Sequence, residues 1–381
     1  MALPTLPDML KSLIGTPSVS CTLDALDTSN LPVINLLAAW CESLGFKTDI
    51  RCVDEKRKKY NLLASLGTGP GGIILAGHTD TVPYDLDRWQ TDPFKLSEKD
   101  GKYFGLGTTD MKGFFAVALE AVRRMQGQPL KSPVFILATA DEETTMSGAK
   151  ALATLGLPKA RAAIVGEPTG LRPVRMHKGI TMQSIRIQGL AGHSSNPALG
   201  VNAMDVMYKV MGELNTLRSE LQQKYHHAGF SVPRPTLNFG CIHGGDNPNR
   251  ICGACELQFD VRTLPGMSLD EIKHTIREKV ALITAQENAT FSMTDLFDGV
   301  DAFETAEDNE LVRLAEKLSG YGAQAVGFAT EAPYLAREKI DTIVMGPGEI
   351  DQAHQPNEFM RQDQIEPMIK YLSSMIQHYC L

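Results

Sequence analysis

The sequence predicts an α/β protein in which helices flank a central, mostly parallel sheet and a smaller domain is inserted. Three observations lead to this prediction. Short apolar runs alternate with helical patterns in the N-terminal part of the chain, as in a sheet with helices on its faces. Several of these runs lead directly into polar residues. The stretch 180–298 has an order of its own, strand–helix–strand–strand–helix–strand.

The larger domain contains four apolar runs of the length expected for buried strands, at 73–76, 134–138, 162–165 and 343–345. An earlier apolar pattern predicts a helix over 32–44 that ends at a glycine. Each of the four runs is followed by polar residues. Ligands in open α/β sheets bind outside the carboxyl ends of the strands, so we expect these polar residues to share one crevice.

The stretch 180–298 is predicted to fold as a ferredoxin-like domain that forms a lid and a dimer contact, and 1–179 with 299–381 form the catalytic domain around it. The first helix of the inserted domain, predicted over 202–225, has apolar residues on one stripe. We expect this stripe to pack on the small sheet. The predicted strands are 182–188, 236–242, 255–262 and 290–296, and the second helix is 269–283.

Composition and charge narrow the class of protein. The net charge of −8 argues against nucleic-acid binding, because phosphate contacts need a clustered excess of basic residues. No apolar run approaches the roughly 18 residues of a membrane helix, and the segment 1–7 lacks a leader pattern. Seven cysteines, an odd number spread thinly over 381 residues, are typical of reduced thiols. We expect a cytoplasmic protein that binds a small molecule and neither nucleic acid nor membrane.

Two of the nine histidines, His78 and His354, lie near strand ends or turns that also carry carboxylates. Three adjacent acids at 141–143 follow an apolar strand, where they repel one another unless cations or protons are present. Asp110 lies at a glycine-rich turn before a helix, and Glu167 follows the third strand. Two histidines and three carboxylates can hold two ions such as zinc if one carboxylate bridges them.

One further carboxylate is then left without a ligand role. A metal-bound water needs a nearby base, and a carboxylate that is close to the ions but not bound to them suits this task. Glu142 or Glu143 is that base, and the spacing alone leaves both open. Asp80, two residues after His78, is expected to contact the far ring nitrogen of His78 and to fix its tautomer.

Five ordered motifs extend this interpretation to a known family. They lie at 77–83, 107–113, 141–143, 166–169 and 352–356. In this order they resemble the metal-site motifs of the dinuclear zinc metallopeptidase family of aminoacylases, carboxypeptidases and desuccinylases. The resemblance covers nearly the whole chain, and it implies hydrolysis of an amide bond.

The resemblance also implies a role for each residue of the metal site. It makes His78 and Glu167 ligands of one divalent ion, and Glu143 and His354 ligands of the other. Asp110 then bridges the two ions, and the peptide bond that follows Asp110 is expected to be cis.

Glu142 becomes the general base in this scheme. Zinc is the expected metal, and cobalt is the alternative because both accept the same ligands.

The inserted domain carries a second set of expected site residues. The motif at 192–195 resembles the family's interface motif, which implies that His193 reaches the active site of a partner subunit to stabilise an oxyanion, and that the protein is a homodimer through this domain. Arg250 and its neighbour Asn249 are expected to hold a substrate carboxylate. Gly348, in the turn before His354, completes the predicted substrate-binding set.

Four further stretches indicate the substrate class. The stretches 175–179, 242–246, 264–267 and 330–333 resemble one member of the family, which removes the acetyl group from an N-acetylated amino acid. The alternatives are another N-acyl amino acid, a dipeptide, or a non-catalytic module that only binds such molecules. A binding module is expected to have lost a ligand or Glu142, whereas all six positions are present.

Overall fold

The structure is a computed structural model that describes residues 3–381, except for the side chain of Leu155. Met1 and Ala2, part of the segment expected to lack a leader, lie outside the described residues. The strands are β1 (Lys47–Asp54), β2 (Lys59–Leu66), β3 (Ile73–His78), β4 (Ser97–Lys99), β5 (Lys102–Phe104), β6 (Val134–Thr139), β7 (Ala162–Val165), β8 (Val174–His177), β9 (Gly179–Gln188), β10 (Thr236–Gly244), β11 (Ala254–Thr263), β12 (Thr290–Val300), β13 (Phe303–Glu304), β14 (Gln324–Val326), β15 (Asp341–Val344) and β16 (Phe359–Arg361). The α-helices are α1 (Leu6–Ile14), α2 (Leu31–Ser43), α3 (Lys112–Arg123), α4 (Ser147–Leu155), α5 (Ala203–Lys224), α6 (Leu269–Gln286), α7 (Glu310–Ser319), α8 (Ala332–Arg337) and α9 (Ile365–Cys380).

The chain divides into two compact units. The second unit comprises Met176–Glu304 and Ala325–Ala329, and the first comprises the chain up to Arg175, Thr305–Gln324 and Thr330–Leu381. The second unit extends beyond the predicted stretch 180–298 at both ends. One reason is that its sheet strands are longer than the apolar runs, since β9 begins at Gly179 and β12 continues to Val300.

In the sheet of the first unit, six strands are neighbours in the order β1-β2-β6-β3-β7-β15. The strands β6, β3, β7 and β15 run parallel to one another, so the predicted parallel centre of the sheet is confirmed. The strands β1 and β2 extend one edge in antiparallel pairing. They were not predicted, because the exposed side chains of β1 do not form an apolar run.

Alternate residues of the central strands bury their side chains on opposite faces of this sheet. In β3, Ile73 and Leu75 belong to the main apolar core, in which α1, α2, α3, α7 and α9 take part. Ile74 and Ala76 point the other way and are also buried, so both faces are covered. Burial on both faces explains why these strands are continuous apolar runs rather than alternating patterns.

The second unit contains a four-stranded antiparallel sheet in the order β10-β11-β9-β12. With α5 and α6 between its strands, this arrangement confirms the predicted ferredoxin-like order. The apolar stripe of α5 joins residues of all four strands in one core. The stripe residues in this core are Met207, Val210, Leu214 and Leu217, with Met211 and Leu221 packed against them.

A third, small sheet of three strands belongs to the first unit and has the order β16-β5-β4. It pairs Phe359 with Phe104 and Arg361 with Lys102. The segment after His354 is thereby attached to the strand that precedes Asp110. This sheet was not predicted, because its strands are only three residues long.

Within the part of the chain that the structure describes, none of the helices combines the length and the apolar character needed to cross a membrane.

The buried stripe of α5 gives a first prediction. Leu214 is 0% exposed, so Leu214→Ala should lower the free energy of unfolding by about 2–5 kcal/mol through lost apolar contacts and a cavity. The matched control is Leu282→Ala on α6, where the side chain is 63% exposed and the expected change is below about 0.5 kcal/mol. Urea denaturation of both variants measures the difference, and equal values would mean that the stripe does not stabilise the second unit.

Candidate active site

The parallel strands of the first unit bring distant polar residues to one edge of the sheet. Since β6, β3, β7 and β15 are neighbours in this order, their carboxyl ends lie side by side. His78 is the last residue of β3, and Glu167 follows β7 after one glycine. A Cβ atom on Gly166 would lie 2.2 Å from the ring of Phe114, so only glycine lets this strand end approach α3 closely.

The first group of candidate ligands consists of His78, Asp110 and Glu167, all of which are buried. His78 Nε2 lies 3.0 Å from Asp110 Oδ1 and 3.8 Å from Glu167 Oε1. One ligand atom from each residue lies within 4.8 Å of the others, which is close enough for a single ion to contact all three.

The second group consists of Asp110, Glu143 and His354. His354 Nε2 lies 3.0 Å from Glu143 Oε2 and 3.3 Å from Asp110 Oδ2. The two oxygens of Asp110 therefore face different histidines, Oδ1 toward His78 and Oδ2 toward His354. This is the arrangement expected of a carboxylate that bridges two ions.

Glu142 belongs to a third group, with His78 and Glu143. Burial, together with the charges of Glu167 and Glu143, raises the pKa of Glu142 well above its ordinary value. Burial also raises the pKa of Glu167, with Asp110 and Glu143 as nearby charges. Like charges held together in a buried crevice are unfavourable without cations. The oxygen and imidazole donors of this crevice fit two divalent ions, which would supply the missing positive charge.

Asp80 lies beside the far ring nitrogen of His78 with both its main chain and its carboxylate. His78 Nδ1 lies 3.0 Å from the backbone oxygen of Asp80 and 3.6 Å from its carboxylate Oδ1. A carbonyl only accepts hydrogen bonds, so Nδ1 is the donor and Nε2 is left to face an ion. The Asp80 carboxylate also accepts hydrogen bonds from the backbone N–H groups of Glu142 and Glu143, each at 3.2 Å.

Asp141 precedes these two glutamates and is neutralised by the protein itself. Its Oδ2 lies 2.8 Å from Arg57 Nη1, and its Oδ1 accepts a hydrogen bond from the hydroxyl of Thr144 at 2.5 Å. Arg57 also pairs with Asp27, which in turn lies 2.9 Å from the buried Nζ of Lys59. The expectation that all three adjacent acids lack a cation within the protein is therefore wrong for Asp141, because Arg57 neutralises it.

Sequence reasoning missed Glu358, which is buried beside the Asp110 loop. Its carboxylate accepts the backbone N–H of Gly107, Thr109 and Asp110. Burial and the charge of Asp110 raise the pKa of Glu358 to about 8. The signal in the sequence is an acid four residues after His354, just beyond the motif at 352–356. The peptide bond Asp110–Met111 is cis, as the family resemblance implied.

His193, Asn249 and Arg250 lie together in the second unit. His193 and Arg250 form an isolated antiparallel bridge, and the Ser194 N–H donates to Asn249 O at 3.2 Å. His193 is exposed, and its Nδ1 lies 2.7 Å from the hydroxyl of Ser195. The Arg250 guanidinium forms an ion pair with Asp246, which a substrate carboxylate would have to replace.

Gly348 lies in the turn before His354 with a φ of +88°. Its N–H donates to Gln364 Oε1 at 2.6 Å, and its carbonyl accepts the N–H of Gly170 at 2.7 Å. A Cβ atom here would lie 2.7 Å from Thr109, so the position requires glycine for packing as well. These contacts hold the turn in place, and a substrate contact at Gly348 stays a prediction.

Comparison with known proteins identifies the class. A profile of peptidase family M20/M25/M40 matches residues 74–378. The chain therefore belongs to this family, and the resemblance inferred from its motifs is confirmed. It is a metal-binding hydrolase of amide bonds. The family consists of dinuclear metal-dependent enzymes, which agrees with the two ligand groups that share Asp110.

Individual relatives place the chain within this family. The acetylornithine deacetylase of Klebsiella pneumoniae strain 342 is 47% identical over 99% of this chain and 98% of its own. The aminopeptidase PepT of Bacillus cereus has a similar structure, with a TM-score of 0.75 and 20% identity over 98% of this chain and 97% of that one. The YXEP protein of Bacillus subtilis, a dinuclear metal binding peptidase, covers 97% of this chain and 96% of its own with a TM-score of 0.68 and 16% identity.

The buried carboxylates predict how pH affects the metal-free protein. The pKa values of Glu142 and Glu167 are raised in the folded state, from an ordinary value of 4.5. The folded state therefore binds protons more readily than the unfolded state, and its stability rises as the pH falls from 7 toward 5. We expect the melting temperature of the metal-free protein to increase over this range. Zinc added in excess should remove the increase, and an increase that persists with zinc would place its origin outside this crevice.

Proposed function

We propose that this protein hydrolyses N2-acetyl-L-ornithine to acetate and L-ornithine, a step of arginine biosynthesis. A relative with this activity in its name shares 47% identity over 99% of the chain. The stretches 175–179, 242–246, 264–267 and 330–333 resemble acetylornithine deacetylase among the members of the family. The observation that carries the proposal is the Asp110 carboxylate, whose two oxygens face His78 and His354.

In this proposal His78, Asp110 and Glu167 hold one ion, and Asp110, Glu143 and His354 hold the other. When bound, two divalent ions would polarise the amide carbonyl and lower the pKa of the attacking water. Zinc is the proposed metal, with cobalt as the alternative, because imidazole and carboxylate donors suit both.

Glu142 is the proposed general base. It is near both ligand groups but is absent from the two that share Asp110. Its carboxylate removes a proton from the attacking water and later delivers one to the departing amine nitrogen of the substrate. Asp80 helps to position these glutamates, since its carboxylate accepts hydrogen bonds from the backbone N–H groups of Glu142 and Glu143.

The second unit supplies the proposed substrate contacts. Arg250, with Asn249 beside it, would exchange Asp246 for the α-carboxylate of the substrate, since a guanidinium binds carboxylates in a bidentate manner. His193 of a partner subunit would donate a hydrogen bond to the oxyanion, so the proposal includes a homodimer formed through this unit. Seven free thiols support a cytoplasmic location, which stays a prediction.

The first experiment compares substrates. Purified protein is incubated with N2-acetyl-L-ornithine or N-succinyl-diaminopimelate after chelation, and again after zinc or cobalt is restored. We expect metal-dependent release of L-ornithine and slower hydrolysis of the succinylated compound, because no second cationic group for its extra carboxylate is evident in the sequence. Preference for the succinylated compound would support the proposed mechanism but exclude N2-acetyl-L-ornithine as the preferred substrate. Hydrolysis of neither would favour the non-catalytic binding module.

A second experiment distinguishes the proposed general base from the proposed metal ligands. We expect Glu142→Ala to retain two zinc ions per chain while its kcat falls by about 10²–10⁴-fold, because general-base catalysis contributes a factor of this size. The comparison variant is Glu143→Ala, which should lose one zinc ion because Glu143 is a proposed ligand. Zinc content by atomic absorption and initial rates distinguish the two. Wild-type turnover by Glu142→Ala would exclude Glu142 as the base.

A further inference from the structure

We propose that Glu358 is a positioning residue that fixes Asp110 relative to His354 and thereby sets the affinity for the ion held by these two ligands. The inference rests on the metal site of the proposed function. It does not depend on which acylated amino acid is the substrate.

The side chain of Glu358 contacts the loop that carries Asp110. Glu358 is 1% exposed. Its Oε1 accepts the N–H of Thr109 at 2.7 Å and that of Asp110 at 3.0 Å, and its Oε2 accepts the N–H of Gly107 at 3.0 Å. One side chain therefore determines the path of the main chain up to the amide of Asp110 itself.

Main-chain groups also join the segment at Glu358 to the loop before Asp110. The Gly105 N–H donates to the carbonyl of Glu358 at 3.0 Å, and the Thr109 hydroxyl donates to the carbonyl of Phe359 at 2.6 Å. Phe359 also pairs with Phe104 in the small sheet. The segment 358–361 and the loop 105–110 are thus held together as one rigid element.

The two joined segments carry Asp110 and His354, which are proposed ligands of the same ion. His354 lies four residues before Glu358 on the same segment, and its Nε2 is 3.3 Å from Asp110 Oδ2. The two segments joined by Glu358 therefore each provide one ligand of the same proposed ion. Metal–ligand distances are confined to about ±0.2 Å, so a small shift between the segments would weaken binding.

The test is titration of metal-free protein with Co²⁺, followed by calorimetry and visible absorption. The variant Glu358→Gln keeps the size of the side chain but places an NH₂ group where one acceptor oxygen faces a backbone N–H. We expect its affinity for one of two Co²⁺ ions to fall by about 10–100-fold, as is typical for partners of metal ligands, with a changed absorption band for that ion.

The matched control is Asp351→Asn. Asp351 is an exposed acid on the same segment, three residues before His354, and its replacement removes a charge near the site without altering the Asp110 loop. This control should bind both Co²⁺ ions as the wild type does. Binding of both ions to Glu358→Gln within threefold of the wild type, with an unchanged spectrum, would overturn the proposal.

A measurement on the wild-type protein covers the case in which Glu358→Gln does not fold. Co²⁺ added to metal-free protein should slow hydrogen–deuterium exchange in peptides 105–110 and 354–361 at the same metal concentration, because the two segments act as one element. Protection of only one of these peptides would contradict the proposal. Neither Co²⁺ experiment uses a substrate, so failure to hydrolyse N2-acetyl-L-ornithine would affect only the proposed function.

Discussion

The carboxylate of Asp110, shared between two imidazoles, is the constraint on which the rest of the first unit depends. His78 faces Oδ1 of this carboxylate and His354 faces Oδ2. This is possible only if the two histidines, 276 residues apart in the sequence, approach from opposite sides. The parallel order of β6, β3, β7 and β15 makes this approach possible because it sets four strand ends side by side. The small sheet then brings the segment of His354 to the Asp110 loop.

The acids of the crevice fall into two electrostatic classes. Asp141 is paired with Arg57 inside the protein, so its charge is compensated whether or not an ion is bound. Glu142 and Glu167 instead lie near His78 and other carboxylates, and burial raises the pKa of both. This division explains how adjacent residues can serve different purposes. Asp141 fixes the end of β6, whereas the glutamates keep their charge available for divalent ions and for proton transfer.

Much of the fold and of the metal site could be predicted from local patterns in the sequence. The buried strands are continuous apolar runs, and the candidate ligands His78, Glu143 and Glu167 follow them closely, so the same patterns indicate strand and ligand. The residues that were missed act over long separations. Glu358 contacts Gly107 across 251 residues, and Lys59 contacts Asp27 across 32. No local periodicity marks such a contact, because a buried charge depends on a partner that only the tertiary structure provides.

The position of the second unit within the chain has a consequence for synthesis on the ribosome. All four strands of its sheet, from β9 to β12, are translated before β15 and before His354. A nascent chain can therefore contain every strand of this four-stranded sheet while the sheet of the first unit still lacks β15. His354 is the last candidate ligand to be translated, so a chain that stops before it lacks part of the group formed by Asp110, Glu143 and His354.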